Sequence, residues 1–209
     1  MTSPNPTRPS SPHPTRRSVL TRPRSPVIEH ALGIARDWCA GQIIDGAPAL
    51  GHAVRVALTL GRHLPAVPPE LTAAILLHDV LDYRGSDLVD STIARQCGQR
   101  TLTMVWLMYG EHTAMDSYGA APAMALRRLE RLPDLVAAAL TADKIVSVGY
   151  VLRGAQHTAD PAAYWPARRP FLDLVPYLRA FHTATAHRIP TTLAGELDTL
   201  VRDAETATT

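Results

Sequence analysis

A chain of 209 residues with 46% apolar but only 5% aromatic content is long enough for one domain that buries about 70% of its unfolded surface. Apolar runs break well short of the roughly 18 residues a membrane span needs, and no collagen-like or wholly polar bias is present, so a transmembrane protein, a collagen and a fully disordered chain are excluded. The formal net charge of +2 hides an asymmetry between a basic N-terminal arm and a slightly acidic body.

Residues 1–26 hold five arginines (Arg8, Arg16, Arg17, Arg22, Arg24), seven prolines and no acid, a mixture too poor in apolar side chains to offset its chain entropy. This arm is expected to be disordered and to act as a solubilising tail, with no specific nucleic-acid partner, since aromatics are not interleaved with its arginines. Thr15-Arg16-Arg17-Ser18-Val19-Leu20 resembles a twin-arginine export motif. The apolar segment that should follow is replaced by Arg22-Pro23-Arg24-Ser25-Pro26, so export is not expected.

Residues 27–209, 16 basic to 19 acidic, form the expected folded domain. Their apolar positions recur at helical spacing throughout, which predicts an all-α bundle of about eight to ten helices, near 27–40, 49–63, 69–83, 87–97, 100–110, 120–130, 133–153, 167–183 and 191–203. Proline and glycine clusters punctuate the segments, and Pro69 is well placed in a first helical turn, where its missing N–H costs nothing. Cys39 and Cys97 lie in no metal-type or disulfide-type spacing, which fits a reducing, cytoplasmic setting.

Three of these helices carry ionisable groups on their apolar stripes. In the second, His52 shares a face with Ala49, Val56 and Leu60. In the third, Leu71, Ala74 and Ile75 lead to His78, Asp79 and Asp82. In the long helix after Pro133, Asp143 interrupts Val136, Ala139, Leu140 and Val146. A buried carboxylate is costly unless paired, hydrogen-bonded or bound to a metal. Convergence of the three helices would gather His52, His78, Asp79 and Asp143 into a nitrogen–oxygen set suited to Mn²⁺, Fe²⁺, Zn²⁺ or Mg²⁺.

The order His52, His78-Asp79, Asp143 resembles the signature of the HD-domain metal-dependent phosphohydrolases. Residues 40–57 around His52, Ala73–Asp82 and Leu140–Ile145, with gaps of 26 residues from His52 to His78 and 64 from Asp79 to Asp143, look like the three motif segments of the RelA/SpoT hydrolase domain and its stand-alone relatives, the small alarmone hydrolases. The resemblance spans about residues 27–203. It implies removal of the 3′-pyrophosphate from guanosine 3′,5′-bis(diphosphate), usually with Mn²⁺, by a protein acting on a small phosphorylated partner, with no membrane role and possible homo-oligomerisation. It also implies roles for residues: Asp82, with Asp79, in catalysis, and Lys144, Arg127, Arg128, Tyr118 and Ser147 in binding substrate.

The chain departs from that pattern at the substrate side. The family's Glu-Asp pair reads Asp82-Tyr83, its basic pair beside guanine reads Ile43-Ile44, and its asparagine after the last aspartate is Ser147. A phenol with a reference pKa near 10 is no base at neutral pH. These changes leave open a hydrolase of another phosphorylated nucleotide or pathway intermediate, or a catalytically weak nucleotide sensor. A di-iron oxygenase of the same fold would need two further histidines between Asp79 and Asp143, where only His112 lies.

Overall fold

The computed structural model describes residues 18–21, 23–44 and 46–207. Its elements are α1 (Pro26–Trp38), a two-stranded hairpin of β1 (Ile43–Ile44) and β2 (Ala47–Pro48), α2 (Ala49–His63), α3 (Pro69–Leu77), α4 (Ser86–Cys97), α5 (Gln99–Asp116), α6 (Pro122–Glu130), α7 (Asp134–His157), the single turn α8 (Pro161–Tyr164), α9 (Arg169–Thr185) and α10 (Thr191–Ala207). The fold is all-α, as the periodicity predicts, with the hairpin (Ile43 opposite Pro48, Ile44 opposite Ala47) the sole sheet among the described residues.

The axis of the bundle is α7. From Val136 to Val146 every residue is buried, with α2 and α10 packed along it and α3, α5 and α9 closing the remaining sides. By length and hydropathy alone α7 is apolar enough to cross a membrane, yet 83% of its most apolar window is buried inside the protein, which is the signature of a core helix. The helices α3 and α7 show almost no polar face because both are enclosed, whereas α1 and α2 present one apolar stripe inward.

Prolines open α1, α3 and α6, where the ring is preorganised and no donor is wasted. Gly98, at φ +87°, serves as both the last cap of α4 and the first of α5. That left-handed conformation suits glycine and lets two helices meet without a loop.

Several boundaries differ from the sequence expectation, among them the end of α10 at Ala207 instead of residue 203. Helix α3 ends at Leu77 instead of running to residue 83, and the chain continues as a 3₁₀ turn over Val80–Asp82. His78 causes this locally: its Nδ1–H donates to the Ile75 carbonyl at 2.6 Å, satisfying a terminal carbonyl that another helical turn would have used. Helix α5 does not stop at Gly110 but reaches Asp116. The Arg128 guanidinium from α6 lies across Gly110, so that a Cβ there would have to displace the end of that exposed, flexible side chain. Helix α7 continues past residue 153 to His157, and α8 was not foreseen. The folded body also begins before residue 27, since Val19 and Leu20 pack against the core and Arg24 bonds to the Leu20 carbonyl at 2.8 Å and Glu29 at 2.9 Å. The remainder of the expected disordered arm, residues 1–17 and 22, lies outside the described residues.

Candidate metal centre

Four helices deliver the polar groups that the apolar stripes carry inward. His52 comes from the first turn of α2, His78 and Asp79 from the turn that ends α3, His112 from α5 and Asp143 from the middle of α7. His52 Nε2 lies 2.8 Å from Asp143 Oδ1. His78 Nε2 lies 3.6 Å from the same oxygen and 3.3 Å from Asp79 Oδ1. His112 Nε2 approaches the other oxygen of Asp143, Oδ2, at 3.3 Å. The rings of His52 and His78 are 5.7 Å apart and those of His78 and His112 5.6 Å.

The cluster is buried: His52, His78, Asp79 and Asp143 are at most 9% exposed. Because His78 Nδ1 is spent on Ile75, its Nε2 carries the lone pair in the neutral ring and points at the carboxylates. That Nε2 is buried and makes no well-formed hydrogen bond among the described residues, the state expected of a nitrogen reserved for a ligand. One ligand atom each from His52, His78 and Asp143 lies within 4.8 Å of the others, all three buried, so this group could hold a divalent ion. Its donors are imidazole nitrogen and carboxylate oxygen, with no thiolate, since Cys39 and Cys97 are buried free thiols elsewhere. Burial pushes the Cys39 thiol up to about 11, with the Asp79 charge adding to it.

The electrostatics of the metal-free cluster are those of paired opposite charges. Burial works against ionisation of Asp143, but hydrogen bonds from His112 and His52, with His78 close by at 3.6 Å, outweigh it and hold the carboxyl well below the usual range. Burial likewise opposes the charged form of His78, yet the Asp79 charge and the Asp143 carboxylate raise it to about 9. His112 is raised in the same way, burial again being overcome by Asp143. The cluster thus holds protons where an ion would sit.

It opens onto a cavity of about 280 Å³ lined by Ile44, His52, Asp79, Asp82, Tyr109, His112, Thr113, Met115, Asp116, Asp143 and Ser147. Asp82 stands at this wall with part of its surface exposed; the partial desolvation of the rest and the neighbouring Asp79 charge raise its carboxyl. Tyr83 is pushed above its ordinary value by burial and Asp79, so it stays a neutral phenol. A larger groove of about 580 Å³ lies between α2, α7 and α10, lined by Arg55, Arg62, Arg153 and apolar side chains, and includes none of the cluster. The cluster's polar groups line the smaller cavity.

The structure brings together His52, His78, Asp79, Asp82, Asp143 and Ser147 as the sequence predicts, but four expected substrate contacts do not line the cavity. Lys144 is 3% exposed and its Nζ donates to both oxygens of the fully buried Glu111, at 2.8 and 3.0 Å, while lying 4.7 Å from the Phe181 ring centre. It is turned away from the cavity into the contact between α5, α7 and α9. Arg128 is spread over Gly110. Arg127 is exposed on α6, whose inward face is Ala125 and Leu129. Tyr118 packs edge-on against Tyr177 at 5.2 Å.

The histidine that sequence reasoning left out of the site is His112. Its signal was present, because Val105, Met108, His112 and Met115 fall at offsets 0, 3, 7 and 10 on one helical face; ending α5 at Gly110 concealed it. No protein-family model matches the chain, and no curated protein matches it either.

Proposed function

We propose that this protein is a divalent-metal-dependent phosphohydrolase acting on a phosphorylated nucleotide, by the chemistry of a 3′-pyrophosphohydrolase of guanosine 3′,5′-bis(diphosphate), with Mn²⁺ the favoured ion over Fe²⁺, Zn²⁺ or Mg²⁺. The observation that carries this reading is the buried convergence of His52, His78 and Asp143 from three helices at the foot of a cavity walled by a further carboxylate, Asp82. A divalent ion at such a site supplies Lewis acidity at a phosphoryl oxygen and lowers the pKa of water.

The chain's own groups complete the chemistry. His52, His78, Asp79 and Asp143 hold the ion, and the Ile75 carbonyl fixes the His78 ring so that Nε2 faces it. Asp82 stands at the wall with its carboxyl raised, placed to accept the proton of the attacking water, since a base nearer the working pH transfers protons more effectively. Ser147 offers a hydroxyl at the same wall, a donor for a phosphoryl oxygen. Burial of the cluster strengthens each of these interactions by lowering the local dielectric.

A second reading of the substrate is favoured by the cavity wall. No lysine or arginine lines it among the described residues, and Ile44 occupies it instead. A tetraphosphate would find no guanidinium there, which favours another phosphorylated nucleotide or a pathway intermediate of lower charge; a weak, sensing role for the same site is the limit of that trend. The test is release of phosphate or pyrophosphate with Mn²⁺ from guanosine tetraphosphate and from a panel of nucleotide and cofactor phosphates. Turnover of one of them, abolished in Asp143→Ala, is the expected result. No turnover of any, with the metal bound, refutes the hydrolase.

A further inference from the structure

The positive charge that the metal cavity lacks lines a different part of the molecule. Helices α2 and α10 each pack along α7 but touch each other little, which leaves over α7 the groove of about 580 Å³, a volume within the range of small-molecule sites. Its α2 wall is Arg55, Leu58, Thr59 and Arg62, which fall on one helical face. Its floor is Ile145, Val146 and Gly149 of α7. The glycine adds no side chain to that floor, and the Arg153 guanidinium lies close over it. Glu196 and Leu200 of α10 close the other side.

The charges in this groove do not cancel. Arg62 is committed to Glu196, donating to it at 3.2 Å, and Glu196 also meets His63 Nε2 at 2.8 Å. Arg55 and Arg153 are exposed, and neither makes an ion pair among the described residues. They come from two different helices, so two uncompensated guanidinium groups border one groove in a body of 16 basic and 19 acidic residues. The rest of the lining is largely aliphatic, and Leu58 is 39% exposed there. Apolar surface with a few charged groups to fix orientation is the composition of a ligand site.

We infer that this groove binds a nucleoside monophosphate, its phosphate held by Arg55 and Arg153 and its base laid against Leu58, Val146 and Leu200. A phosphate monoester carries a charge of about −1.5 to −2, which two guanidinium groups match, and their planar forks suit its oxygens. Nucleic acid draws its affinity from many phosphate contacts; two free arginines on a slightly acidic body favour a single phosphate. The groove shares no lining residue with the metal cavity, so the inference stands apart from the hydrolase reading.

The experiment is calorimetric titration of the full chain with adenosine and guanosine 5′-monophosphate at low salt, with and without chelator. One site per chain for at least one nucleotide, indifferent to chelator, is expected. Arg55→Gln and Arg153→Gln should each weaken binding about 10–100-fold while leaving the melting temperature of the free chain unchanged, since both side chains are exposed. Ribose 5-phosphate, which lacks the base, should bind more weakly than the nucleotide. No binding of either nucleotide, equal affinity for ribose 5-phosphate, or tighter binding of a single-stranded oligonucleotide each overturns the inference. Binding that needs Mn²⁺ and survives both arginine substitutions belongs to the metal cavity; it overturns this site and leaves the hydrolase reading standing.

Discussion

Replacing Lys144 by methionine should damage the fold far more than the chemistry. The ammonium is 3% exposed and Glu111 fully enclosed. Lys144 meets both carboxylate oxygens at 2.8 and 3.0 Å, and Tyr177 donates a hydrogen bond to the same carboxylate. Methionine has a similar length and leaves no cavity, so its effect isolates the charge. The carboxylate of Glu111 would remain in the core with only the Tyr177 hydroxyl and, 3.9 Å away, His112. Removing one partner of a buried pair typically costs about 3–5 kcal/mol, a large part of the roughly 5–15 kcal/mol that holds a domain together, and corresponds to a melting-temperature loss of about 6–20 °C for a chain of this size. Adding Glu111→Gln should restore at least half of the loss, because the amide still accepts from Tyr177 and no charge is left unpaired. Urea unfolding followed by circular dichroism, with chelator present so that metal binding does not contribute, measures the four corners of this cycle. A Lys144→Met protein within about 1 kcal/mol of wild type, but with its substrate affinity lost, would refute the buried pair and return Lys144 to the role of a phosphate contact.

Other outcomes follow from the cluster itself. Asp143→Ala should lose bound metal by elemental analysis, and wild-type protein with an ion at about 100 times its Kd should gain about 2.7 kcal/mol, since only the folded state assembles the ligands. Asp82→Asn should lower kcat by about 10²–10⁴-fold with metal content unchanged; near-normal turnover would place proton transfer elsewhere. In metal-free protein the raised His78, at about 9 against 6.5 when unfolded, contributes stability that is complete below pH 6.5 and disappears as pH climbs through about 9. Melting temperature with chelator should therefore fall over that interval, whereas the gain from added Mn²⁺ should grow, because protons and metal compete for the same nitrogens.

Much of the site was legible because it violates the pattern around it. His52 and Asp143 interrupt otherwise apolar stripes, and a group that expensive to bury advertises a partner. The stripe also located His78, although periodicity could not show that the helix ends beneath it, since that ending depends on the bond from its own ring to Ile75. Lys144 was misread for a different reason. Its partner lies 33 residues earlier, on a stretch of α5 that the expected boundary at Gly110 had cut away. A charge beside that aspartate looks the same in sequence whether it faces the cavity or a neighbouring helix, and here its contacts with Glu111 on α5 and Phe181 on α9 decide. Arg128 shows the same dependence on tertiary context, because its guanidinium lies over Gly110 on α5, where the expected helix had ended.

The same central helix that carries Asp143 sets how the protein fails. The 24 residues of α7 satisfy the length and hydropathy of a bilayer span, and what keeps them from behaving as one is the cover provided by their neighbours, α2 and α10 foremost. Loosening either neighbour presents a long, continuous greasy rod rather than scattered side chains. The partly opened chain would then self-associate or adsorb to lipid faster than it recloses, so damage to the bundle should register as lost yield and irreversible heating curves before it registers as a reversible shift in equilibrium.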